Sequence, residues 1–260
     1  MYDAVARYVG KAAPGRLPQL RRHFDVIRPT RENHVGWFIT EVEDKERYVE
    51  HARQAHRLVK GLPHARGNRD YELVLQHTRQ IVRFYEYFTY LRTGDRDSAM
   101  AQNLRWWRQR TGDRIAYWAA AVHTADAARL RVSVPPEELA WKAAGAHLRE
   151  HYGRRYVSIG FTFDHGVVSS NWETPPFTPE PLPVPPPPRD FAERPLGEVG
   201  LDQYILSLRA AGPPEARSWL HGPAKTRVIG SHYEPERASG YHMTGGSLAG
   251  WFDVLTCSPP

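Results

Sequence analysis

Residues 41–92 constrain the fold most. "EVEDKERYVEHARQAHRLVKG", 41–61, repeats its apolar residues at helical spacing and ends in a glycine. The short turn "LPHARGN" follows, and then "RDYELVLQHTRQIVRFYEYFTYLR". In that second stretch Tyr71, Val74, Leu75, Ile81, Val82, Tyr85 and Phe88 fall on one face. Two long amphipathic segments joined by a Pro/Gly turn predict an antiparallel helical hairpin over 41–92. Shorter helical spacing at 2–9 and 16–24, broken by "APG", precedes it.

A third helix is expected from "TGDRDSAM", capped by Thr93 or Asp95. Its inward stripe would be Asp97, Met100, Asn103, Leu104 and Trp107. A buried carboxylate or amide without a partner costs about 1–3 kcal/mol. Asp97 and Asn103 therefore either tie the helix to neighbouring backbone or belong to a site. A strand–helix–strand order comes next. "RIAYWAA", 114–120, reads as a strand, and "PPEELAWKAAGAHLREHYG", 135–153, as a helix. "RYVSIGFTF", 155–163, reads as a second strand. This order predicts an α/β fold, a mostly parallel sheet covered by helices with the hairpin protruding. Further strand-like runs lie at 203–208, 226–231 and 250–257. Between 174 and 188, nine of fifteen residues are proline, which removes the donors a ladder needs. An extended polyproline strap is expected there.

The whole of 1–260 reads as one domain, long enough to bury roughly three quarters of its unfolded surface. The single cysteine, Cys257, excludes an intrachain disulfide and a thiolate metal cluster. No run of eighteen apolar residues occurs, and the N-terminus lacks the apolar run of a signal peptide. The expectation is a cytoplasmic protein with no membrane partner. The net charge of +6 raises the question of nucleic acid. Its arginines are scattered among acids, and the densest patches, "LRRHF" and "YGRRY", are short, so no nucleic-acid partner is expected.

The chemistry-bearing candidates are histidines at strand ends. His123 lies just past "AYWAA", at the carboxyl edge where open α/β sheets place their crevices. His165 ends the second strand in "FTFDHG"; Asp164 would point to the opposite side if the strand continued through it. His232 and His242 fall in loops. No HExxH motif and no close-spaced His/Cys pair is present, so no metal and no cofactor is expected. Arg227 stands in an apolar strand, so its charge must be paired or reach a cleft. A G-x-S-x-G nucleophile elbow is absent, and "GGSLAG" at 245–250 lacks a phosphate-loop lysine.

In order, "RDSAMAQNLRWW", "RIAYWAAAVH", "GRRYVSIGFTF", "YILSLR", "SWL", "TRVIGSHYEP" and "WFDVLTC" resemble the erythromycin esterase family, which includes succinoglycan biosynthesis proteins. The family's pattern is matched by Arg96, Asp97, Met100, Ala101 and Asn103. It is matched again by Trp118, Ala119 and His123, by Leu208 and Arg209, by Trp219 and Leu220, by Arg227 and Gly230, and by Phe252 and Asp253. The likeness runs from about residue 70 to the end, and more faintly back to residue 2. Ala120 and Ala121 stand where the family carries His and Asn. The family's N-terminal Gly-Glu-x-x-His-Gly lobe has no match, so it is expected to be absent and to leave an apolar sheet edge or face exposed. The resemblance implies metal-independent hydrolysis of an ester or macrolide lactone by water that a histidine activates. The family places the water-activating histidine and its carboxylate partners in the unmatched lobe, and a second histidine or an arginine steadies the oxyanion. His123, in that second kind of role, and His165 are then the catalytic candidates, and Asp97, Asn103 and Arg227 the substrate-binding ones. The rival readings are a non-catalytic relative that binds a small molecule or protein, and a basic nucleic-acid-associated protein.

Overall fold

The computed structural model describes residues 1–171 and 178–258. It divides into two compact units, Met1–Arg92 and Thr93–Pro260.

The first unit is helical: α1 (Tyr2–Ala12), α2 (Leu17–Ile27), α3 (His34–Thr40), α4 (Lys45–Lys60) and α5 (Arg69–Tyr90). Caps set the ends. Asp44 accepts from the Arg47 amide, and Asn68 from the Tyr71 amide. Gly61 closes α4, and Leu91 closes α5 in the left-handed conformation. α4 and α5 form the helical hairpin, with Val49, Ala52, Ala55 and Val59 facing Tyr71, Val74, Ile81 and Tyr85 in one core. Leu75, Val82 and Phe88 pack at its margin. Arg53 donates from Nε and Nη2 to Glu86 Oε1, at 2.9 and 2.7 Å, fastening α4 to α5.

The second unit mixes helices and sheets. Its elements are α6 (Asp95–Thr111), α7 (Ala121–Thr124), β1 (Leu130–Val134), β2 (Glu137–Trp141), α8 (Ala144–Tyr152), β3 (Ile159–Phe163), β4 (Gly166–Ser170) and β5 (Glu180–Val184). They continue with α9 (Glu193–Gly197), β6 (Tyr204–Ser207), α10 (Pro214–His221), β7 (Thr226–Arg227), β8 (His242–Thr244), α11 (Leu248–Trp251) and β9 (Val254–Ser258). Three sheets result, ordered β2-β1-β8-β7, β3-β9-β6 and β4-β5. Among the described residues only β3 and β9 pair in parallel; every other pairing is antiparallel. The mostly parallel sheet expected from the sequence is therefore replaced by two antiparallel sheets and one mixed sheet.

Two segments account for that difference. Residues 114–120 pair with no strand, and Trp118 is 84% exposed. An apolar run becomes a strand only where an edge is free to receive it. Residues 135–143 do not begin a helix: Pro135 and Pro136 make a two-residue turn, and Val134 faces Glu137 across the β1–β2 hairpin. Glu137, Glu138 and Ala140 favour helix by propensity, but the segment has no buried stripe to hold one. α8 starts only at Ala144, where its Ala144 and Leu148 pack on Ala101 of α6. On α6 itself Asp97 and Ala101 are buried, whereas Asn103 and Trp107 are exposed, so the inward stripe is narrower than its spacing implies.

Part of the expected proline strap, 174–177, lies outside the described residues. The rest includes β5, where Glu180, Leu182 and Val184 alternate with Pro181 and Pro183 against β4. Prolines on alternate positions leave the intervening residues to donate to the ladder, which a two-stranded edge tolerates. One face of the β3-β9-β6 sheet is uncovered: Ile159, Phe161 (56% exposed) and Ile205 (73% exposed) point outward. Trp118 lies against Phe161 at 5.1 Å between ring centroids. Beneath the other face, Gly160 meets Phe252 and Leu255 so closely that a side chain there would collide with them.

Candidate active site

α6 and α7 bring the first candidate pair together. Asp97 sits in the first turn of α6 and is 3% exposed. His123 sits on α7, one turn of helix after the irregular stretch that was expected to be a strand. Its Nδ1 is 3.0 Å from Asp97 Oδ1 and 3.2 Å from Oδ2. A carboxylate only accepts, so Nδ1 carries the proton and Nε2 is left as the basic nitrogen. The backbone amide of Ala144, at the start of α8, donates to Asp97 Oδ1 at 2.8 Å. Asp97 therefore does both things its position allowed: it satisfies a helix N-terminus and it orients a histidine. The His123 side chain keeps 16% of its surface exposed. Tyr117 lies over the same helix, its hydroxyl 3.0 Å from Met100 Sδ. Burial, reinforced by the Asp97 charge, pushes the Tyr117 phenol up to about 12.

Close backbone packing holds α7 against α8. A Cβ on Gly145 would fall 2.2 Å from Thr124 O and 2.3 Å from Ala125 O, so only glycine fits there. Tyr156 and Ser158 also donate their hydroxyls to Thr124 O, at 2.5 and 2.7 Å.

The other candidates sit elsewhere in the same unit. The strand ends at Phe163, so the chain turns at Asp164, and Asp164 Oδ2 accepts from His165 Nδ1 at 2.6 Å. The condition under which the two side chains would diverge is not met, because the strand stops at Phe163. Arg227 donates from Nη1 to Asp164 O and from Nη2 to Pro185 O, both at 2.9 Å. Burial lowers the Arg227 pKa, against the opposing pull of Glu193. His232 pairs with Glu234, and His242 donates to Ser239 O. Among the described residues no group of three His, Cys, Asp or Glu side chains gathers to hold a metal ion. No helix among them is long and apolar enough to cross a membrane.

Two features were not legible in the sequence. Arg149 of α8 donates to Asp126 at 2.9 Å, to Asp253 at 2.7 Å and to the carbonyls of Gly153 and Tyr156. Asp253 also accepts from the Ser158 amide and pairs with Arg209. Arg209 and Asp253, two motif residues about forty positions apart, are thereby partners in one ionic cluster. The second feature is Glu193, buried at the start of α9 in a stretch, "ERPLG", without any sequence signal.

The second unit is a mixed α/β unit that presents a carboxylate-held histidine after an irregular chain segment, where the motifs had pointed to a strand end. The erythromycin esterase family model matches residues 1–258, and the chain belongs to that family. No curated protein matches it. A protein of known structure from Bacillus cereus is 21% identical, with a TM-score of 0.75 over 99% of this chain and 62% of that one. A succinoglycan biosynthesis protein is 17% identical, with a TM-score of 0.70 over 99% and 60%. Erythromycin esterase EreC, a histidine-to-asparagine mutant in its open conformation, is 16% identical, with a TM-score of 0.67 over 99% and 64%. At these identities the likeness is one of fold, and the chain spans less than two thirds of each of these structures.

Proposed function

We propose that the chain carries the histidine of an ester-hydrolysing site. In this reading His123 Nε2 takes a proton from water as the water attacks an ester or lactone carbonyl. Asp97 fixes the tautomer and compensates the positive charge that the ring acquires. The protonated ring then returns its proton to the leaving alkoxide. The observation that carries the reading is the 3.0 Å contact between His123 Nδ1 and Asp97, in a member of the erythromycin esterase family. The substrate class is a small-molecule ester, with a macrolide lactone suggested by the family's name. The chemistry proposed is metal-independent and cytoplasmic. Arg227, bound to two backbone carbonyls, is assigned a structural part, and His165 no part in this step. A second reading, a relative that binds without catalysis, draws support from Ala120 and Ala121.

Turnover of p-nitrophenyl esters and of erythromycin tests the proposal. His123→Ala is expected to lower the rate by about a hundredfold or more, as for loss of a general base. An unchanged rate removes His123 from the site. No turnover by the parent chain on any ester leaves the binding reading.

A further inference from the structure

Ester hydrolysis at His123 leaves the uncovered face of the β3-β9-β6 sheet unused. Alternate residues of each strand stand on that face: Ile159 and Phe161 from β3, Val254 and Thr256 from β9, Ile205 and Ser207 from β6. Phe161, Thr256 and Ile205 are paired side by side and form its middle row. Val157, two residues before Ile159, extends the β3 row, and Trp118 lies against Phe161. None of these positions carries a charge. The opposite face, with Leu255 and Cys257, is buried in the core.

The size of the patch is informative. Trp118 is 84% exposed, Ile205 73%, Val157 58%, Phe161 56% and Ile159 45%. From ordinary side-chain areas they present about 500 Å² of apolar surface, near the top of the range for the largest patch on a monomer. A standard interface takes about 800 Å² from each partner, of which about 450–520 Å² is apolar. The patch therefore matches the apolar share of one side of a stable dimer.

The two ends of the face differ in charge. Where β3 and β9 begin and β6 stops stand Arg154, Arg155 and Arg209. Arg154 lies near enough to Arg209 for their charges to oppose each other. At the other end Asp164 follows β3 and Asp202 precedes β6, and both line one cavity of about 270 Å³. Arg209 and Asp164 already pair with Asp253 and His165, so Arg154, Arg155 and Asp202 set the sign of each end.

Two copies could pack these faces with their strands running the same way or opposite ways. The first arrangement brings the arginine ends together. The second lays each basic end over the acidic end of the other copy. A two-fold axis between the sheets and perpendicular to the strands produces that second arrangement, and it repeats every contact twice. Sheets packed face to face stand about 10 Å apart, so Trp118, Phe161 and Ile205 interdigitate with the same residues of the second copy.

We propose that a second copy of this chain covers the face, the two sheets packing about a two-fold axis perpendicular to their strands. His123 and Asp97 are not part of the face, so the test involves no turnover.

Sedimentation equilibrium of the full chain reads the oligomeric state from about 1 to 200 µM. A dimer with Kd about 1–50 µM is expected. Ile205→Asp puts a charge in the middle row and should weaken the dimer at least about a hundredfold, with the circular dichroism melt unchanged because Ile205 is exposed. Arg154→Glu and Asp202→Arg, each made alone, set like charges against each other at both ends and should weaken it about three- to tenfold. The two together should restore the parent Kd, which damage to folding would not do. A monomer at about 200 µM overturns the proposal. Binding of that monomer to phosphatidylglycerol vesicles would then give the face to a lipid surface. A dimer that Ile205→Asp leaves intact, or that the double reversal fails to restore, also overturns it.

Discussion

Asp97→Asn tests the proton relay at a single atom. Asparagine is nearly isosteric with aspartate, but only one of its two terminal atoms accepts. The Ala144 amide, 2.8 Å from Asp97 Oδ1, demands an acceptor at that position. The side-chain amide nitrogen must then occupy the Oδ2 position, 3.2 Å from His123 Nδ1, where its N–H opposes the ring N–H that Oδ1 accepts at 3.0 Å. That opposition favours the tautomer in which Nδ1 accepts and Nε2 carries the proton, and in that tautomer the ring can no longer take one from water. The same swap in Ser–His–Asp triads costs about 10⁴ in kcat, and a comparable loss of about 10²–10⁴ is expected here. The stability cost is smaller. Replacing a charge-assisted bond by a neutral one costs about 1–3 kcal/mol, and each kcal/mol lowers Tm by about 2–4 °C in a unit of this length. Ester turnover measures the first effect and differential scanning calorimetry the second. A ¹⁵N imidazole spectrum reads the tautomer directly, whether or not the chain turns over a given ester. An Asp97→Asn variant that keeps Nδ1 protonated, or loses less than about threefold in rate, would refute the argument.

Other perturbations follow from the same contacts. Asp253→Ala strands Arg149, Arg209 and the Ser158 amide together, and should cost about 3–5 kcal/mol in urea unfolding; a loss below about 1 kcal/mol would show that water replaces the carboxylate. Gly145→Ala drives a methyl into the carbonyls of Thr124 and Ala125, so a loss of at least about 1–3 kcal/mol is expected, read as a fall in Tm. Glu193 gives a pH signature. Its carboxyl is raised above the ordinary 4.5, so the folded chain keeps a proton that the unfolded chain releases. The stability it contributes is full below pH 4.5 and falls as pH climbs toward the folded value. Glu193→Gln should remove that decline, and parallel stability profiles for parent and variant between pH 4 and 8 would contradict it.

How far the sequence was legible depended on how local the signal was. The hairpin of α4 and α5 announced itself through apolar spacing, Gly61 and the short turn after it, because helix hydrogen bonds close within four residues. α6 was visible for the same reason. Residues 114–120 and 135–143 misled because strand pairing is decided by a distant partner. β1 found β2 and β8 as neighbours, while 114–120 found none. His123 and Asp97 could be singled out from their motifs, yet their pairing needed α6, α7 and α8 to meet. Glu193 and Arg149 left no trace in spacing at all.

By itself, then, the sequence determined the long helices α4, α5 and α6, the absence of disulfides and the family of this chain, since each rests on residues close in order or on an ordered set of motifs. The tertiary structure alone decided the strand directions, the hydrogen bond that orients His123 and the burial of Glu193. Each of those depends on groups tens of residues apart being brought within about 3 Å, and no local rule encodes that.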